Sequence, residues 1–175
     1  VYNNREYARH FARAMQFKES TNLCLFCTVT APTGFWEDGK EITARQFFDR
    51  ARRSLKIACG RGKAWQMCSF QPQENGHPHA HFLLFVRDGK GSYDWRLRVS
   101  RLFRWAGSFV SRLVKPEDFK QTFDYLHYYT KYSAEMYLEA EKNLDIPALE
   151  KAGKALKMVA WAENSGIPNF IQSGG

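Results

Sequence analysis

From Glu6 to Ser20 the apolar residues Tyr7, Phe11, Ala14, Met15 and Phe17 recur at helical spacing and gather near one side. The next segment, LCLFCTVTA from Leu23 to Ala31, is apolar and β-favouring and is closed by Pro32 and Gly34, which predicts a buried strand. An amphipathic helix is predicted over Thr43 to Ala58. Thr43 suits its N-cap, Phe47, Phe48, Ala51 and Leu55 form a stripe, and Gly60 stops it. Two strands follow, AWQMCSFQ (Ala64 to Gln71) and PHAHFLLFV (Pro78 to Val86). The Asn75-Gly76 turn signal between them predicts a hairpin. A helix rich in arginine spans Tyr93 to Gly107, and SFVSRLVK reads as a fourth strand ended by Pro116. Helical periodicity resumes over Glu117 to Lys142 and again from Ala148 to Glu163. The simplest packing of this order is an α+β sandwich, an antiparallel sheet with its helices stacked on one face.

With 175 residues, 44% of them hydrophobic, the chain has material for one domain, residues 1–175, with a substantial core. It begins at Val1 rather than methionine, so it is expected to be processed or part of something longer. There is no secretory leader pattern and no apolar run of roughly 20 residues, so the expectation is a soluble, intracellular protein without a membrane partner. The net charge of +8 points instead to a polyanion. Positive residues cluster in RARRSLK, RGK and RLRVSRLFR, and aromatic residues, 15% of the chain, are interleaved with them. Cations for phosphates and flat rings for unpaired bases suit a single-stranded nucleic acid. Arg52, Arg53, Arg101 and Arg104 are the candidate phosphate contacts. Cys24 and Cys27 have a zinc-knuckle interval, but on a strand an odd separation turns the thiols to opposite faces, so they read as buried free thiols.

The stretch ENGHPHAHFLLFV holds three histidines in five residues. Residues two apart on a strand share a face, so His79 and His81 point together while Ala80, Phe82, Leu84 and Val86 point to the other side. A pair of imidazoles so placed suits a divalent transition ion. His77 has the same parity but precedes Pro78 at the turn, which makes it the poorest ligand of the three. A third ligand should come from the neighbouring strand or the turn: Gln71, Gln73 or Glu74, depending on hairpin register.

The second unusual segment is FDYLHYYTKYSAEMY. On a helix Tyr125, Tyr128, Tyr132 and Glu135 share one side, with Lys131 at its border, while Tyr129 turns away. Such a stripe can be packing alone. Combined with a metal-bearing histidine pair, however, a tyrosine beside a lysine supplies a nucleophile for phosphoryl transfer.

These blocks together resemble the HUH endonucleases, in particular replication initiators of rolling-circle plasmids and single-stranded DNA phages. LFCTVTAP is similar to the family's first motif and ENGHPHAHFLLF to its second, with His79-Ala80-His81 as histidine-hydrophobic-histidine. YYTKYSAE is similar to the third, a tyrosine followed three residues later by lysine, here Tyr128 and Lys131. Tyr132 occupies the place of the second tyrosine found in some phage initiators. The blocks span Leu23 to Glu135 in the expected order. The resemblance implies an HUH-type nuclease fold: a five-stranded antiparallel sheet with flanking helices, the histidine pair central and the tyrosine helix alongside. It implies Mg or Mn held by His79, His81 and a third ligand near Gln71, where the family often has Glu. Tyr128 would attack a phosphodiester of single-stranded or hairpin origin DNA, leaving a 5′-phosphotyrosine and a 3′-hydroxyl. Lys131 would assist, and Tyr132 would allow a second transfer. The setting implied is the cytoplasm of a bacterial or other prokaryotic host, with host helicase and polymerase as partners. Glu135 stands where two-tyrosine relatives often carry another lysine. A relaxase or transposase of the same superfamily would make the same nick, and a non-catalytic single-strand or RNA-binding module would use the tyrosines for stacking.

Overall fold

A computed structural model describes residues 4–34, 39–128 and 134–173. It is an α+β structure with one five-stranded antiparallel sheet, ordered β4-β1-β3-β2-β5. The strands are β1 (Leu23–Thr30), β2 (Ala64–Pro72), β3 (Pro78–Val86), β4 (Ser108–Leu113) and β5 (Phe170–Gln172). The helices are α1 (Asn4–Glu19), α2 (Ala44–Cys59), α3 (Ser92–Leu102), α4 (Phe119–Leu126), α5 (Ala134–Lys142) and α6 (Ile146–Ser165). β3 lies at the centre, paired along its length with β1 and β2.

Local chemistry explains the element ends. Thr43 caps α2 through a capping box, its hydroxyl accepting from the Gln46 amide while the Gln46 side chain accepts from the Thr43 amide. The hairpin predicted from Asn75-Gly76 forms, with Gly76 in the left-handed region at φ 80° and the Gln73 amide donating to His77. α6 starts on the Asp145 side chain, which accepts from the Ala148 amide, and stops at left-handed Gly166.

The helices cover both faces of the sheet, not one. On one face Leu25, Cys27, Val29, Cys68, Phe70, Phe82 and Leu84 pack against α2, α3 and Ala162 of α6. On the other, Phe26, Met67, Leu83 and Phe85 pack against Ala14 and Phe17 of α1 and Phe119, Phe123 and Leu126 of α4. The reason lies in β3. Beyond His81 it is apolar on both sides, and a central strand with two apolar faces needs two covers. Cys24 and Cys27 accordingly point into different cores as free thiols. Burial raises the Cys24 thiol to about 12.

Two readings change in extent. The helical span from Glu117 to Lys142 comprises, among the described residues, a 3-10 turn at Pro116–Asp118, α4, and α5, with α4 ending at Leu126 and His127 as its C-cap. The arginine-rich helix stops at Leu102 rather than Gly107. The fifth strand has no strong signal of its own. It is three residues long and is held at the β2 edge by Phe170, whose ring packs on His10 of α1 (4.3 Å) and on His127 (4.9 Å).

Candidate active site

The register puts a polar patch on the α1/α4 face at one end of an otherwise apolar sheet. His81 faces Thr28 on β1 and Ser69 on β2, and His79 faces Thr30 and Gln71. Cross-strand partners share a face, so the two imidazoles, two threonines, a serine and a glutamine form one cluster. The imidazole centroids are 4.8 Å apart with the rings nearly perpendicular.

Each ring is oriented by one hydrogen bond and keeps one nitrogen open. Nδ1 of His81 lies 2.9 Å from the Thr28 hydroxyl, and its Nε2 is buried with no hydrogen-bond partner. His79 bonds to the main chain of Gln71, and its Nδ1 is buried and open. Fixing one ring nitrogen and exposing the other is how a protein sets imidazoles for a metal. Burial, reinforced by the charge of Lys154, pushes His79 down to about 4; burial, His79 and Lys154 push His81 down to about 3. Both are therefore neutral and carry lone pairs at neutral pH.

The hairpin register separates the three candidate third ligands. Gln71 is 4% exposed, sits opposite His79, and donates from its amide to the Ser69 hydroxyl at 3.0 Å, which leaves its carbonyl oxygen as donor atom. Gln73 and Glu74 are exposed in the turn. His77 is committed elsewhere, its Nε2–H donating to the Ala31 carbonyl at 2.8 Å and tying the turn to the end of β1. No group of three or more His, Cys, Asp or Glu side chains able to hold a metal occurs among the described residues. The two open nitrogens and the Gln71 side chain lie on one face of the sheet, on adjacent strands.

The tyrosines approach this patch from two distances. Tyr125 of α4 is half exposed and lies edge-on against His81, ring centroids 5.1 Å apart. Tyr128 is partly buried and its hydroxyl donates to the Lys151 carbonyl of α6 at 3.1 Å. Lys154, one turn further along α6, places its ammonium 5.4 Å from the centre of the Tyr128 ring while its charge acts on both imidazoles. Lys131 and Tyr132 lie outside the described residues.

The four candidate phosphate contacts are not part of this cluster. Arg52 and Arg53 on α2, Arg101 on α3 and Arg104 just after it are exposed, on the far side of the sheet from the histidines. On the histidine face, Arg112 of β4 stacks on Phe26 at 5.0 Å. Sequence reasoning missed Arg112, Lys154 and the contact of Tyr125. The strand parity of Arg112 with Phe26 and Thr28 becomes visible only once β4 is paired with β1, and Lys154 comes from the last helix.

The fold and the patch define an α+β protein with a central antiparallel sheet and a pair of neutral imidazoles on one face, each with one buried nitrogen lacking a hydrogen-bond partner. No protein-family model matches the chain, and no curated protein does. Among solved structures it is similar to the hypothetical protein ORF119 from Sulfolobus islandicus rod-shaped virus 1, with a TM-score of 0.47 and 16% identity over 67% of this chain and 91% of that one. Among the described residues no helix is long and apolar enough to cross a membrane.

Proposed function

We propose that the protein is a metal-dependent nuclease that nicks and rejoins single-stranded DNA at a replication origin and so initiates rolling-circle replication. The observation that carries this reading is the buried histidine pair with its two open nitrogens, at the end of the sheet that Lys154 shares with Tyr128. His79, His81 and the Gln71 amide would hold the ion, and the nitrogen-rich set suits Mn better than Mg. When bound, the ion would neutralise charge on the phosphate.

The chain's own residues supply the rest. The Tyr128 oxygen forms a bond to phosphorus as the bond to the 3′ oxygen breaks. The phenolic proton is lost and the departing 3′ oxygen gains one. Lys154, and Lys131 as the resemblance implies, would favour the phenolate and the charged phosphate. The phosphotyrosine ester conserves the bond, so attack by a 3′-hydroxyl reseals the strand, and Tyr132 offers a second acceptor. The free 3′-hydroxyl is the primer that host polymerase extends, with a host helicase opening the duplex.

The test uses labelled random-sequence single strands and hairpins with Mn. A covalent adduct that survives denaturation is expected, and mass spectrometry should locate it on Tyr128. Tyr128→Phe should abolish the adduct and keep DNA affinity. The hydroxyl contact to Lys151 favours a second reading, a module that binds strands without cutting them. Retained DNA binding with no adduct in Mn or Mg would establish that reading and overturn the first.

A further inference from the structure

Beside His81 the surface opens into a cleft of about 500 Å³, large enough for a small ligand, bounded by Phe26, His81, Arg112, Asp118, Gln121 and Tyr125. Its polar side chains hold unused bonding capacity. Arg112 donates once, to the Thr122 hydroxyl at 3.1 Å, and makes no ion pair among the described residues. The Asp118 carboxylate does not cap α4, and among the described residues neither it nor the Gln121 amide has a hydrogen bond or ion pair. The carboxylate and the guanidinium therefore line one cleft without pairing. Tyr125 forms a wall, edge-on to both His81 (5.1 Å) and Phe26 (6.1 Å), with about half its surface exposed.

We propose that this cleft reads one unpaired guanine in the DNA strand, next to the phosphate that is cut. The inference rests on the nucleic-acid reading of the histidine site. An exposed phenol ring offers any base a stacking surface, but the flanking polar groups are selective. A carboxylate accepts two hydrogen bonds side by side and a guanidinium donates two. Guanine alone among the DNA bases presents a matching pair of donors, N1–H and N2–H, together with a pair of acceptors, O6 and N7. Arg112 is held for this task. Phe26 supports its flat face, and Thr122 is itself fixed by donating to the Asp118 carbonyl at 2.9 Å. Those contacts hold the guanidinium beside the first turn of α4, and Asp118 at the start of that helix lines the same cleft, while Gln121 can serve the base or its sugar.

The test is a binding selection that needs neither metal nor chemistry. Tyr128→Phe protein in EDTA is used to capture strands from a random single-stranded pool, and the bound fraction is sequenced. One position enriched in guanine is expected. In the background of that protein, Asp118→Asn should lower the preference for guanine over adenine there about ten-fold or more, and Arg112→Gln likewise, with other positions unchanged. Asp118→Asn removes no hydrogen bond or ion pair among the described residues, and urea unfolding of that variant separates a loss of guanine preference from a loss of stability. Replacing that guanine by hypoxanthine, which lacks the exocyclic amine, should weaken capture several-fold. A pool without guanine bias, or a bias that survives both substitutions, overturns the pocket and leaves the nicking reading standing. Guanine selection together with no adduct in Mn supports the pocket and removes the nicking reading. Failure to capture any single strand removes both.

Discussion

His10 and His127 form a second buried imidazole pair, away from the candidate metal centre, and they make the stability of the fold depend on pH. Their rings lie 5.1 Å apart and both pack on Phe170, so they hold β5 between α1 and α4. Burial, with a smaller push from Arg9, lowers His10 to about 4; burial and the neighbouring His10 lower His127 to about 3. Glu6 lies 4.0 Å from His10, and Asp124 acts on His127 in the raising direction, but neither reverses the effect of burial. In the unfolded chain each imidazole titrates near 6.5. The folded values are lower, so the unfolded state binds more protons as pH falls through 6.5, and stability drops until the folded values are reached. From pH 8 to pH 5 each ring removes about 2 kcal/mol of unfolding free energy, about 4 kcal/mol for the pair. That is a large share of the 5–15 kcal/mol typical of a domain. The assay is urea unfolding followed by tryptophan fluorescence between pH 8 and 5, with EDTA and reductant present. His127→Phe keeps a flat ring against Phe123 (4.0 Å) and Phe170 and cannot titrate. It loses the Nδ1 hydrogen bond to the Phe123 carbonyl, so it should cost about 1 kcal/mol at pH 8 while removing about 2 kcal/mol of the loss at pH 5. An acid slope in the variant equal to that of the wild type would refute the reasoning.

The remaining expectations concern the candidate site and one backbone contact. Mn should raise the melting temperature by the same amount at pH 7 and pH 5, because His79 and His81 stay neutral down to about 4 and about 3, and His81→Ala should remove the effect. Gln71→Glu adds an anionic oxygen beside His79, so calorimetry should show Mn affinity rising about ten-fold or more, whereas Gln71→Leu should lower it. Lys154→Met should act in opposite directions, tightening Mn several-fold by removing a repulsive charge while slowing adduct formation about ten-fold or more in a quenched time course. A methyl group on Gly107 would stand 2.6 Å from the Ala31 carbonyl oxygen and 2.9 Å from the Pro32 Cα, so Gly107→Ala should cost about 1–3 kcal/mol in urea unfolding.

Whatever depends on neighbours in the chain was legible from the amino-acid order. The period of two along PHAHFLLFV placed His79 and His81 on one face, the Asn75-Gly76 signal made the hairpin, and Thr43 marked the start of α2. These features arise from pleating, φ preferences and capping, which act over a few residues. The choice of Gln71 over Gln73 and Glu74 required the register of two strands, a cross-strand quantity. Arg112 reached the histidine face only through the β1–β4 pairing, Tyr125 through the docking of α4, and Lys154 through the course of the last helix. Helices on both faces, and a three-residue edge strand held by two histidines, likewise follow from burial of surfaces that meet only in three dimensions. The histidine pair was therefore written locally, while its surroundings, which set its charge state and form the cleft beside it, were decided by long-range packing.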